Sequence, residues 1–351
     1  MRLFLTGNII ILLLVLSGTA IHARQSSSAA QTNHLWEQYK ATFIQSDGRV
    51  IDRQQRGFSH SESQGYGLLL SVLCNDRTMF DTILRWTNNN LQARKDNLLP
   101  WAWGKRHNGQ WGIIDYNNAT DGDVLVAFAL IKAATRWNVP AYQAQGVKLV
   151  EAVRGYLSEE FDGRSYLLPA YYGFQKDNEL VINLSYQVFA AYRLFALVDD
   201  KAFWDKIYRD SLYLSGRAVF GTMKLPSDWV VLHKTEIALW KERAPLFGNE
   251  AIRTMLYLSW EEKPEFPEGL MKLFTLYQQK GYLPAHIDLI KNEASTEEAS
   301  AGFYAVYARA AEKSGQNSLS QKLWAKALEK AVNENELYYS MSLLLLALYY
   351  N

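Results

Sequence analysis

The sequence predicts an all-α protein, an (α/α)6 toroid in which an inner ring of helices is wrapped by an outer ring. Three observations lead there. Helical periodicity dominates from Trp36 to the C-terminus, the helices fall into two kinds, and the kinds alternate along the chain. One kind carries a single apolar stripe and suits a surface. The other is apolar nearly all round and must be buried on both sides. The count of helices is roughly a dozen, with boundaries open by a few residues. A solenoid would also alternate, but the chain shows no repeat of fixed period.

The elements follow in order. Arg2 precedes a short apolar run, Ile9 to Leu16, and small residues come next, with Ala20 and Ala23 as cleavage positions. That layout predicts an export signal over residues 1–23, too short to span a bilayer. Residues 24–33 are rich in Ser, Ala and Gln and read as a disordered leader. Residues 34–351 show no Pro/Gly/Ser linker and no composition break, so they are expected to form one domain.

Ser61–Cys74 is apolar almost all round and reads as an inner helix. Thr78–Leu91 places Phe80, Ile83, Leu84 and Leu91 on one stripe and Asp81, Arg85 and Asn88 away from it, the pattern of an outer helix. Asp121–Trp137 is again inner. Tyr166–Phe174 is the clearest strand signal and is expected to form a short hairpin. Ala301–Ala311 is inner. Leu319–Ala331, with Lys322, Lys326 and Lys330 on its wet side, is outer, and Leu337–Tyr350 is inner but has too few apolar residues for a membrane span. In such a ring the polar residues that open the inner helices gather at one mouth.

Composition narrows the function. Cys74 is the only cysteine, which rules out an intramolecular disulfide, and it reads as a small core residue. A net charge of +1 with mixed signs gives no nucleic-acid groove. Apolar residues make up 48% of the 351, enough for a large core. The 11 Trp and 21 Tyr offer flat faces with polar edges, suited to sugar rings as well as to cores.

Two polar constellations open inner helices. In the first, Ser59 to Gly67, the Ser61–Gln64 spacing is that of a capping box, so Glu62 stands in a first helical turn. A glutamate there is ordinarily a dipole partner. However, Gly65 and Gly67 inside the helix each cost about 1 kcal/mol relative to Ala, which implies close approach by a backbone or a ligand. In the second, Asp115 to Asp123, three carboxylates and two amides stand within nine residues. The calcium-loop pattern fails, with Ala119 and Thr120 at its fifth and sixth positions and Val126 in place of the closing glutamate. Neither metal nor cofactor is expected.

The stretches His60–Gly67 (HSESQGYG) and Asn117–Trp137 (NNATDGDVLVAFALIKAATRW) together resemble family 8 of the glycoside hydrolases, in particular the compact periplasmic endoglucanases that accompany bacterial cellulose synthesis. The resemblance extends over most of the mature chain, through Leu99–Lys105, Asn183–Gln187, Pro226–Trp229 and Gly248–Arg253. It implies an (α/α)6 barrel and an inverting, endo-acting attack on β-1,4-glucan chains. Glu62 matches the proton donor, and Asp121 matches the aspartate that grips the sugar at the cleavage point. Trp101, Trp103, Tyr186 and Trp229 match sugar-subsite positions; from their place in the second polar constellation, Asp115 and Asp123 are expected to bind substrate, and they are the next candidates for the base after Glu250. Arg253 matches an arginine near the base. Many members carry aspartate as general base before Ala-Ile-Arg, whereas Glu250 stands there in this chain. Its extra methylene displaces the oxygens by about 1.5 Å.

The expected partner is a β-glucan chain, with the cellulose synthesis machinery as a second. No nucleic acid and no membrane span after signal cleavage are expected, and the location is periplasmic or secreted. Three readings stand at this point: an endo-β-1,4-glucanase; a chitosanase, xylanase or mixed-linkage glucanase on the same scaffold; or a polysaccharide-binding protein that has lost its base.

Overall fold

A computed structural model describes residues 34–176, 178–234 and 236–350. The expected export signal and leader, residues 1–33, lie outside the described residues. Helix α1 covers residues 34–43. It is followed by α2 (Ser61–Leu73), α3 (Arg77–Leu91), α4 (Thr120–Trp137), α5 (Pro140–Leu157), α6 (Phe189–Phe195), α7 (Lys201–Arg217), α8 (Ile252–Ser259), α9 (Gly269–Lys280), α10 (Ala301–Lys313), α11 (Asn317–Asn333) and α12 (Tyr338–Tyr349).

The even-numbered helices close a ring: α2 packs on α4, α4 on α6, α6 on α8, α8 on α10, α10 on α12, and α12 back on α2. The odd-numbered helices lie outside it, as where α3 backs α2, α5 backs α4 and α11 backs α10. Helix α1 backs the seam, with Tyr39 Oη 2.9 Å from Ser342 Oγ and Phe43 edge-on to Tyr338. Burial separates the two kinds as the sequence patterns require. All eight residues of α8 and eleven of thirteen in α10 are buried, against five of seventeen in α11 and six of fifteen in α3. The alternation read from the sequence is therefore the six-in-six ring. Cys74 packs against this core, and burial pushes its thiol up to about 12, far from reactive.

Short antiparallel strands sit between the helices. Strands β1 (Ser59–His60), β2 (Pro100–Lys105) and β3 (Trp111–Asn118) form one sheet in the order β1-β2-β3. It runs directly into α2 and α4. The expected hairpin at Tyr166–Phe174 is corrected: the hairpin pairs β4 (Ser158–Phe161) with β5 (Arg164–Leu167). Its turn is Asp162-Gly163, both at positive φ (50° and 73°), as a two-residue hairpin turn matching the strand twist requires. Tyr166 and Leu167 close β5, and from Pro169 to Phe174 the run is a series of bends that leads into β6 (Gln175–Lys176) and β7 (Glu179–Ile182).

Candidate active site

The inner helices begin at one mouth of the ring. There a cavity of about 510 Å³ is lined by Glu62, Trp101, Asp121, Tyr186, Glu250 and Arg253, with His60, Ser61, Tyr338 and Tyr339 among its walls. Glu62 and Asp121 enter from two different inner helices, and Glu250 from the turn that leads into a third.

Glu62 stands in the first turn of α2. The N-cap is His60, not Ser61, and Ser63 supplies the reciprocal contact, with His60 N donating to Ser63 Oγ at 2.9 Å. Gln64, expected in the cap, lies fully buried. It accepts from Val50 N at 2.7 Å and donates to Thr87 Oγ1 at 2.9 Å, strapping α2 to the chain before it and to α3. Asp121 opens α4, whose first turn is pinned by Thr120 N donating to Pro169 O at 2.9 Å. The two helices cross with almost no gap. A Cβ on Gly65 would stand 2.7 Å from Leu125 Cβ, and one on Gly122 would stand 2.8 Å from Glu62 N. The interior glycines therefore answer to a neighbouring helix, and their absence of side chains is what brings Glu62 beside Asp121.

Arg253, in the first turn of α8, ties the pair together. Its Nη1 donates to Glu62 Oε2 at 2.5 Å and to Asp121 Oδ2 at 2.8 Å, and it is 3% exposed. Tyr186 and Tyr339 flank the guanidinium, with ring centroids 5.5 and 6.0 Å away. One cation shared by two buried carboxylates neutralises only one of them, so a proton stays with the pair. Burial is the main cause that lifts Glu62 to about 8, and the charges of Asp121 and Glu250 add to it against the pull of Arg253. The upward effects outweigh the guanidinium, burial being the largest of them. Glu62 thus remains protonated at neutral pH despite its place at a helix N-terminus.

Glu250 lines the same cavity just before α8. It makes no ion pair with Arg253 three residues on; Asn183 Nδ2 donates to its Oε2 instead. Burial raises its carboxyl above the ordinary range, with Arg253 opposing. The backbone around it is held by Asp228, whose Oδ1 accepts from Gly248 N at 3.0 Å and Ala251 N at 2.7 Å.

The three carboxylates of the second constellation part company. Asp121 reaches the cavity. Asp123, two residues on and so turned to another side of α4, is fully buried behind it. It accepts from Leu99 N and Asn118 Nδ2, both at 2.8 Å. Asp115 lies in β3 and accepts from Asn117 N at 2.9 Å. Neither lines the cavity. Among the described residues no group of three acid, His or Cys side chains is disposed to hold a metal.

The aromatic positions also divide. Trp101 lines the cavity with its ring nearly parallel to His60, centroids 6.0 Å apart. Tyr186 lines it too. Trp103 stacks instead on Trp111 at 5.4 Å, with the Arg49 guanidinium against both rings. Trp229 is 8% exposed, its face covered by Phe174 at 5.5 Å and its edge toward Tyr186, so it supports that tyrosine and does not line the cavity.

Several wall residues were not singled out from the sequence. Among the described residues, His60 Nε2 and Ser61 Oγ are buried and take no hydrogen bond. The signal available for Tyr338 and Tyr339 was their place at the start of an inner helix, where the mouth must be. Asp228 and Asn183 lay within quoted motifs, but their contacts span 20 and 67 residues of sequence and have no local signature.

Comparison with known proteins agrees with this geometry. The family model described as glycosyl hydrolases family 8 matches residues 16–351. An endoglucanase of Cellulomonas uda is 34% identical over 272 residues, 77% of this chain and 75% of that protein. The crystal structure of endoglucanase Cel10 from Klebsiella pneumoniae is similar at 32% identity and a TM-score of 0.78, covering 90% of this chain and 97% of that one. The endo-β-1,4-glucanase CMCax from Acetobacter xylinum is similar at 28% identity and a TM-score of 0.80, over 90% and 96% of the two chains.

Proposed function

The chain belongs to family 8 of the glycosyl hydrolases, and from that membership and the geometry above we infer that it hydrolyses β-1,4-glucan chains internally, with inversion at the anomeric carbon. The observation that carries the reading is the Arg253 bridge between Glu62 and Asp121, with Glu250 lining the same cavity.

An inverting glycosidase needs a carboxylic acid at the glycosidic oxygen and a carboxylate behind a water molecule. Glu62 supplies the acid: its proton passes to the leaving oxygen as the bond to the anomeric carbon breaks. Glu250 takes a proton from the water that attacks that carbon from the opposite face. Asp121, held by Arg253 and by the Gly122 N–H at 2.8 Å, grips the sugar at the cleavage point. Trp101 and Tyr186 offer stacking faces to the rings on either side.

The substrate class rests on the endoglucanase relatives, and a place beside the cellulose synthesis machinery rests on the resemblance alone. Export to the periplasm or beyond is supported by the basic and apolar pattern of residues 1–23. No described helix is long and apolar enough to cross a membrane. Proton NMR of a cello-oligosaccharide digest tests the reaction. The first reducing ends to appear should be α-anomers. Initial β-anomers, or no release of reducing ends from carboxymethylcellulose, would overturn the reading.

A further inference from the structure

Glu62 and Asp121 share a guanidinium, but Glu250 is held by an amide. Asn183 is 1% exposed and caps a single 3-10 turn, Leu184–Tyr186, that packs against α4 and α8. Its Oδ1 is engaged twice by one residue, accepting from Ser185 N at 3.0 Å and from Ser185 Oγ at 2.6 Å. That double contact fixes which way the amide faces, because a flipped group would set N–H against N–H. The Nδ2 donors are thereby turned toward α8, where one meets Glu250 Oε2. Among the described residues, Glu250 Oε1 takes no hydrogen bond, and Glu250 lines the cavity.

A glutamate in a base position has one more rotatable bond than an aspartate and so more ways to miss the water. Asp228 immobilises the Gly248–Ala251 backbone but does not touch the Glu250 carboxylate. The side chain needs its own anchor. We propose that Asn183 is a positioning residue for the hydrolytic step, holding Glu250 by Oε2 so that Oε1 stays free to receive a proton from the attacking water; this rests on the reading of Glu250 as the base. The step balances simply. The water oxygen forms a bond to the anomeric carbon, its proton goes to Glu250 Oε1, and the Glu62 proton goes to the departing oxygen. Asn183 exchanges nothing; it orients one partner and favours its ionised form.

The test uses the whole protein and four variants. Asn183→Ala should lower kcat by up to about a hundredfold, the loss expected when a reacting group is misplaced by about 1 Å, with KM within about twofold of wild type. The acidic limb of the pH–rate profile should move to higher pH, because an anion that loses an N–H donor is harder to form. Asn183→Asp keeps the shape and the Ser185 contacts, so it serves if the alanine variant fails to fold, and it should move the limb in the same direction. Glu250→Ala should be nearly inactive until azide attacks in the water's place and yields an α-glycosyl azide. Adding Asn183→Ala to Glu250→Ala should leave that azide-rescued rate unchanged, since there is no carboxylate left to position.

Wild-type kcat and pH profile in Asn183→Ala would overturn the proposal while leaving Glu250 as base. An equal fall in the azide-rescued rate would make Asn183 merely structural. A Glu250→Ala enzyme active without azide would remove the base assignment itself, and the proposal with it.

Discussion

Alanine at Gly122 is the sharpest test of how the site is assembled, because the same substitution elsewhere in this chain should act with the opposite sign. Gly122 lies in the first turn of α4, where a Cβ would stand 2.6 Å from Ser61 Cβ and 2.8 Å from Glu62 N. Ordinary contact begins near 3.4 Å, so α2 and α4 must separate by roughly half an ångström or more. Overpacking of a close-packed interior costs about 1–3 kcal/mol, and here backbone blocks the way, which favours the upper end. The gain from replacing a helical glycine is at most about 1 kcal/mol. The net expectation is a loss of about 2 kcal/mol and a Tm lower by roughly 4 °C. Glu62 and Asp121 part by the same shift, so kcat should fall by about tenfold or more while the fold persists. Gly155 in α5 and Gly216 in α7 have nothing within 4 Å of a built Cβ. Alanine at either should stabilise by about 0.5–1 kcal/mol and leave activity alone. Calorimetry and initial rates on the three variants decide the matter. If Gly122→Ala is as stable and active as the other two, the glycine crossing does not position the acids.

Glu62→Gln should cut turnover on β-glucan by at least about a hundredfold without loss of fold, and a near wild-type rate would exclude Glu62 as the acid. In the wild type the basic limb of kcat/KM should fall near pH 8: Glu62 is raised to about 8, its proton is the reactive one, and activity is lost as pH climbs through that value. A basic limb near pH 5 would contradict the site electrostatics. Asp121→Asn should lower kcat more than it weakens oligosaccharide binding by calorimetry; a pure binding defect would make it an ordinary subsite residue. Asp123→Ala should destabilise by about 3 kcal/mol, since Leu99 N and Asn118 Nδ2 lose their buried acceptor, and should leave KM nearly unchanged if the fold holds.

Much of the ring was legible in the sequence because burial on both sides leaves a mark that local reading can detect. A helix such as Ala301–Ala311 has no wet face, whereas Leu319–Ala331 keeps its lysines on one side, and that contrast carries the inner and outer assignment. Glu62 and Asp121 were legible for a related reason: each opens a buried helix, and a closed ring gathers such openings at one mouth. The strands were not. Pairings as short as Ser59–His60 with Ala102 and Trp103 have no period to detect, and at the one strand signal noticed, the Asp162-Gly163 turn decided the register and the aromatic run did not.

By itself the sequence determined which helices are buried, where the polar mouth lies, and that carboxylates stand at it. Only the tertiary structure decided which carboxylates meet. Asp121 and Asp123 are equal as text, yet helical rotation sends one into the cavity and the other into the wall. Arg253 stands three residues after Glu250, a spacing that suits a helical ion pair. The ring closure instead brings it to Glu62 and Asp121, 191 and 132 residues away, and leaves Glu250 to Asn183. Those choices depend on the gap between helices, set by single glycines at crossings. Contacts that long in sequence are fixed by packing of the whole ring, and no local pattern records them.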